Sequence, residues 1–244
     1  MHRRASTSPT WGAALLSLLA FIVHPPAATA GGFLVSPTLA EVRAGARVAS
    51  FELANRGDAP VAVQVDALAW SQDGEDVLAP AQDLVIAPRR VEIAPGASRL
   101  VRLALNPDVA EETGERAYRV RFRELPGAGA APRDGFGIAT LVEHNVPLFF
   151  NVGRAPDLHL RAWRDEAGRL ILEAANAGTR YARLAGMRVW DGAGTLAYEH
   201  NGPRYVLAAR TMRWTLPDDV RIGSGETAQV QFAGDSGKRT VLVE

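Results

Sequence analysis

The chain contains no cysteine. Neither a disulfide nor a thiolate metal site can contribute to its folding, so its stability has to come from core packing. It has a single lysine, Lys238, and arginine supplies nearly all of its positive charge. Lys plus Arg and Asp plus Glu balance at 27 each. That balance lacks the surplus of cations that nucleic-acid binding draws on. Also missing are a Gly-x-Ser-x-Gly elbow, a phosphate-binding glycine loop and a His-Glu-x-x-His pair. Beyond the N-terminal segment the histidines are His144, His159 and His200, too scattered for a metal-ligand set. Asp73-Gly74-Glu75-Asp76 lacks the spacing of a calcium loop and reads as a hairpin turn. The expectation is a non-enzyme with no cofactor and no metal.

Residues 1–30 have the form of a signal peptide. Arg3 and Arg4 supply a positive start, Ala13 to Val23 is an apolar core, and Ala28-Thr29-Ala30 is a small-residue cleavage site. The apolar stretch is too short for a membrane-spanning helix and is stopped by Pro25-Pro26. Cleavage there leaves Gly31 to Glu244 with 25 basic against 27 acidic residues, a formal charge of −2. Two domains of roughly 100 residues fit in that length.

What fills the mature chain is short alternating runs broken by turn dipeptides. In the first half strands are expected near Phe33–Val35, Leu39–Val42, Val48–Leu53, Val61–Trp70, Leu84–Ile86, Val91–Ile93, Ser98–Leu105, Ala117–Leu125 and Phe136–Phe150. This is the pattern of an immunoglobulin-like sandwich over residues 31–152. A linker at Asn151 to Pro156 leads to a second, smaller all-β domain over residues 153–244. Its strands are expected near Leu158–Trp163, Leu170–Ala175, Ala182–Trp190, Thr195–Glu199, Tyr205–Leu207, Thr211–Leu216, Ala228–Phe232 and Thr240–Val243. An Asn-x-Gly turn ends an early strand in each half, at Asn55-Arg56-Gly57 and Asn176-Ala177-Gly178, and hints at a distant repeat.

The most unusual stretch is Gly135 to Phe150, GFGIATLVEHNVPLFF. Read as a strand it is far longer than the usual five or six residues. Its even positions run Ile138, Thr140, Val142, His144, Val146, Leu148, Phe150, and Pro147 marks an edge strand or the end of pairing. A long apolar edge invites a further strand. The same alternation would equally suit side chains that fill the domain's own core.

The ordered set Phe33-Leu34-Val35-Ser36-Pro37, Phe51-Glu52-Leu53-Ala54-Asn55, Ile93-Ala94-Pro95-Gly96, Leu100-Val101-Arg102-Leu103, Glu115 to Val120, Arg123 to Pro126 and Val146-Pro147-Leu148-Phe149-Phe150 resembles the PapD-like periplasmic chaperones of the chaperone–usher pathway. Pro147, with Tyr205-Val206-Leu207 and Trp214 in the second domain, resembles the archaic branch that assembles Csu-type or spore-coat-protein-U-like pili. The resemblance implies a boomerang-like pair of immunoglobulin-like sandwiches. It further implies donor-strand complementation of pilin subunits in the periplasm and delivery to an outer-membrane usher. Whether the free protein caps itself as a homodimer stays open. The implied donor side chains are Ile138, Thr140, Val142 and Val146, and burying four of them contributes roughly 6–12 kcal/mol before ordering costs.

In better-known members two basic residues of the interdomain cleft hold the subunit's terminal carboxylate. Here Pro147 takes the place of the last-strand lysine, and Leu39 or its neighbour that of the first-strand arginine. Antiparallel pairing of Ala117–Leu125 with the long strand would bring Arg119 to the cleft, with Arg116 and Arg102 as further candidates for the anchor. A solvated row formed by Arg119, Arg121 and Arg123 is the plainer alternative. Two other classes stay open as well, a structural or adhesive secreted β-sandwich and a carbohydrate-binding one.

Overall fold

The structure, a computed structural model, describes residues 32–107, 114–126, 141–233 and 237–244. Among these residues there are strands and turns and no helix. The strands up to Phe150 are β1 (Phe33–Ser36), β2 (Ala40–Val42), β3 (Val48–Asn55), β4 (Val61–Gln72), β5 (Asp76–Pro80), β6 (Leu84–Ala87), β7 (Arg90–Ile93), β8 (Ser98–Leu105), β9 (Arg116–Leu125) and β10 (Glu143–Phe150). One sheet has the order β1-β3-β8-β6, and the other runs β2-β10-β9-β4-β5 with β7 also paired to β4. After Phe150 come β11 (Leu158–Arg164), β12 (Leu170–Asn176), β13 (Ala182–Trp190), β14 (Leu196–Val206), β15 (Thr211–Thr215), β16 (Thr227–Phe232) and β17 (Arg239–Leu242). They form sheets β11-β12-β15 and β14-β13-β16-β17. The molecule is two immunoglobulin-like sandwiches, each around its own apolar core.

Period-two alternation builds both cores. Strand β3 buries Ala49, Phe51, Leu53 and Asn55 and exposes Ser50 and Glu52, while β9 turns Tyr118, Val120 and Phe122 inward. Strand β4 changes allegiance along its length. Val61, Val63 and Val65 enter the first core, but Trp70 and Gln72, of the opposite parity, are buried on the outer face. Strand β10 does the same, with Val146, Leu148 and Phe150 inward and Phe149 buried on the outer side. A sheet buried on both faces needs such continuous apolar runs, and VPLFF is one.

The Asn-x-Gly turns have the same architecture in both domains. Buried Asn55 donates from Nδ2 to the carbonyls of Ala59 and Ile93, at 2.8 and 3.0 Å, and its Oδ1 accepts the Gly57 N–H at 2.9 Å. Asn176 donates to Arg180 and Val206 carbonyls at 2.8 and 3.1 Å and accepts the N–H groups of Gly178 and Asp157, both at 3.0 Å. Each side chain satisfies buried backbone that the bending chain would otherwise leave unpaired.

Three elements differ from expectation. Strand β10 begins at Glu143, so Leu141 and Val142, expected within the strand Phe136–Phe150, lie outside it. Strand β5 has all five residues exposed, so it lacks the buried alternation by which strands are read. Thr195–Glu199 and Tyr205–Leu207, expected as separate strands, belong to the single strand β14. Gly202 and Pro203 together oppose Ala185 as a bulge, which an edge strand tolerates. The signal-peptide segment and residues 135–140 of the long strand lie outside the described residues.

Replacing Asn55 or Asn176 by alanine strips several backbone groups of their partners at once. Each change should lower unfolding free energy by about 2–4 kcal/mol in urea titrations.

Candidate functional site

The two sandwiches meet through a small aromatic cluster on the outer face of the β10-β9-β4 sheet. Phe149 stacks on Tyr181 with ring centroids 3.8 Å apart and planes 10° apart, and Trp70 meets Tyr205 edge-on at 5.4 Å. Leu207 closes the cluster. Gln72 acts as a piece of strand between the domains. Its Nε2 donates to the Tyr205 carbonyl at 3.0 Å and to Asp76 at 2.8 Å, and its Oε1 accepts the Leu207 N–H at 2.9 Å. The tip of the β4-β5 hairpin adds to the edge of β15: Gly74 donates to the Thr211 carbonyl at 3.0 Å and accepts the Arg213 N–H at 2.7 Å. On the other flank Glu41 accepts hydrogen bonds from the Tyr181 hydroxyl and from Arg180. Glu115 accepts the Tyr181 N–H at 2.9 Å.

Beside this joint runs the edge of β10. Strand β9 covers one side of β10 from Glu143 to Phe150, antiparallel, with Pro147 opposite Arg119 and Phe150 opposite Arg116. On the other side β2 pairs in parallel only with Leu148 to Phe150. Among the described residues, Glu143 to Pro147 therefore present an open edge, ended at one side by β2 and lacking an N–H at Pro147. Arg119 lies in the next row of the same outer face. Its guanidinium sits 3.7 Å above the Trp70 ring and 5.3 Å from that of Tyr205. Burial holds its pKa below the ordinary arginine value, opposed by the charge of Asp76. Among the described residues this guanidinium makes no hydrogen bond or ion pair, so a desolvated cation faces the cleft without a bonded anion.

Residues 32–151 match the model of the PapD N-terminal domain, a pili and flagellar-assembly chaperone. The chain belongs to the PapD-like chaperone family. Its members assist pilus assembly and are not enzymes. No curated protein sequence matches this chaperone. Solved structures share its fold at low identity. The CsuC–CsuE chaperone–tip subunit complex of archaic Csu pili from Acinetobacter baumannii matches with a TM-score of 0.65 at 19% identity, over 87% of this chain and 99% of that one. The Salmonella enterica SafA pilin–SafB chaperone complex matches at 0.59 and 17%, over 86% and 96%. The CupB2 chaperone of Pseudomonas aeruginosa matches at 0.53 and 15%, over 85% and 97%.

The residues singled out from the sequence separate into groups in the chaperone. Ile138 and Thr140 lie outside the described residues. Val142 packs half-buried against the rim of the first core. Val146 is a correction: at 4% exposure it belongs to the domain's own core, because the inward face of β10 is sealed by the opposing sheet from that point on. Arg119 is brought to the cleft, as antiparallel pairing with β9 required. Arg116 is beside it, but bound to Asp83 at 2.9 Å. Arg102 is a second correction. It stands exposed on β8, in the other sheet, paired with Ser50 and Ala87, and cannot reach the β10 edge. Of the solvated row, Arg123 pairs with Asp66 at 2.8 Å on the surface, whereas Arg121 is half-buried and its Nε has no partner among the described residues. Sequence reading missed Trp70, Tyr181 and Tyr205 as a joint; the clue was the parity change within β4, where apolar side chains appear on the face its first half leaves exposed.

In the linker, Gly153 lies so close to the turn after β12 that a Cβ there would lie 1.9 Å from the Thr179 carbonyl oxygen. Gly153→Ala should separate the domains without unfolding either. Calorimetry would then show two transitions in place of one, and small-angle scattering a larger radius of gyration.

Proposed function

We propose that this chaperone binds pilin subunits by lending β10 and the residues before it to an incomplete subunit sandwich, and then passes the subunit to an outer-membrane usher. The observation that carries this reading is the open edge at Glu143 to Pro147, which a partner strand can extend until it meets the end of β2 at Leu148. Such an edge supplies main-chain hydrogen bonds along its length, and alternate side chains supply the apolar contact. Val142 is the described donor, and Ile138 and Thr140 share its parity. The site of action is the periplasm, reached by cleavage after Ala30, with domains spanning 31–152 and 153–244. Likeness to the archaic Csu complex and proline at 147 support membership of the archaic branch.

Arg119 is the anchor for the subunit's terminal carboxylate. A planar cation stacked on Trp70 is held in place before the partner arrives, so little rotamer entropy remains to be lost on pairing. A carboxylate would complete the electrostatic balance that burial has left open.

Co-expression of the mature chain with candidate pilins in a periplasm, followed by pull-down, tests the reading. Wild type should yield a soluble one-to-one complex, and Val142→Arg should lose at least nine-tenths of it while remaining folded, on the order of the 1.4 kcal/mol that corresponds to tenfold. Equal capture by the variant would show that the strand is ordinary core, and polymerisation of the chain alone would favour a structural protein. Arg119→Ala should weaken subunit affinity roughly 10- to 100-fold, matching a lost charged hydrogen bond of about 1.5–3 kcal/mol.

A further inference from the structure

Tyr181 of the second domain is clamped by two carboxylates of the first. Glu41 on β2 takes its hydroxyl and the Arg180 guanidinium, the latter at 2.6 Å. Glu115, just ahead of β9, takes its backbone N–H at 2.9 Å through Oε1. The other oxygen of Glu115, Oε2, is buried and has no hydrogen-bond partner among the described residues. Arg180, whose charge acts on Glu115, is already engaged by Glu41. Arg116, the adjacent cation on β9, is held by Asp83. Across a cavity of about 210 Å³, which Glu115 lines together with Trp70, Asp83, Arg116, Tyr118 and Arg210, the Arg210 side chain bonds to nothing among the described residues.

We propose that Glu115 is a proton-operated latch of the domain joint: neutral, it holds the sandwiches docked, and ionised, it loosens them and with them the cleft beside β10. An ionised carboxylate would leave an uncompensated anionic oxygen buried next to Glu41, whereas a neutral carboxyl keeps the Tyr181 hydrogen bond and removes the repulsion. The cavity on its other side offers a way out, because a small displacement brings the anion toward water and Arg210. Burial, aided by the charge of Glu41 and opposed by Arg180 and by the N–H groups of Tyr181 and Gly153, raises the Glu115 pKa from the ordinary 4.5 to about 7.

The sign follows from which state holds the proton. Below about 4.5 both docked and open joints carry it. Between 4.5 and 7 the docked joint keeps it and the open joint releases it, so each pH unit favours opening by about tenfold. Above 7 the effect is constant. The latch concerns the free chaperone, and it reaches the subunit site only if the strand-lending role is correct, since β2 both carries Glu41 and ends the open edge of β10.

The absence of cysteine makes the test direct. Spin labels on Glu52→Cys and Thr240→Cys, both exposed and one in each domain, report the interdomain distance by pulsed electron resonance. The wild-type distribution should be narrow at pH 5 and broaden toward pH 8, and in Glu115→Gln it should stay narrow throughout. A distribution independent of pH, or one that titrates equally in Glu115→Gln, overturns the latch. Should that variant fail to fold, a carbon-13 titration of the Glu115 carboxyl in the wild-type chain decides: a midpoint near 7, falling in Glu41→Gln, is expected, and a midpoint in the ordinary carboxylate range overturns the proposal. Neither measurement includes a subunit. Failure of the latch therefore leaves strand lending untouched, and a titrating latch in a chain that captures no pilin at any pH refutes only the strand-lending role.

Discussion

The stack of Phe149 on Tyr181 is the contact on which the rest of this molecule depends. Phe149 is the outward-facing neighbour of two core residues, Leu148 and Phe150, so one short run of β10 is anchored in the first domain and in the joint at once. Because side chains alternate across a strand, this double commitment requires consecutive apolar residues. It also fixes β10 in position and register: a slip of one residue would place Phe149 in the core and Phe150 in the joint. The strand next to the cleft is thereby held on both faces at one end, while among the described residues its other end has only β9 for a neighbour.

From that constraint the geometry of the cleft follows. Strand β2 pairs with β10 only over Leu148 to Phe150, at the end of the apolar run, and among the described residues the edge before it is left open. Trp70, drawn to the outer face by the same joint, becomes the platform on which Arg119 lies. Gln72 and the hairpin tip at Gly74 extend the joint along β4 and onto β15 by main-chain pairing. The two domains are therefore connected by an aromatic stack, a side-chain bridge between strands and a sheet extension, and each of them starts from the sheet that carries the open edge. Tyr205 of the second domain thus helps to set where the Arg119 guanidinium stands.

Much of the fold was legible along the chain. Ser98–Leu105 and Ala182–Trp190 were read as strands and are strands over those residues, and the paired Asn-x-Gly turns were visible before their hydrogen bonds were known. Strand β5 was not legible, because an edge strand with every side chain in solvent leaves no periodic trace. The candidate site was legible in part. Pairing of β9 with β10 followed from the short span between them and set Arg119 opposite Pro147, whereas Val146 and Arg102 were read without knowledge of which face or which sheet they occupy.

Composition, alternation and turn chemistry are local properties, and by themselves they determined a cysteine-free, all-β chain of two sandwiches with an unusual strand at the end of the first. They act between neighbouring residues, so they can be read from neighbours. Which face of a strand is covered twice, where a partner strand stops and which arginine is stacked and half-buried at the joint depend on residues as distant as Gln72 and Leu207, or Glu41 and Tyr181. Only the docking of one sandwich on the other decided those, because burial and desolvation are set by everything that surrounds a group in space.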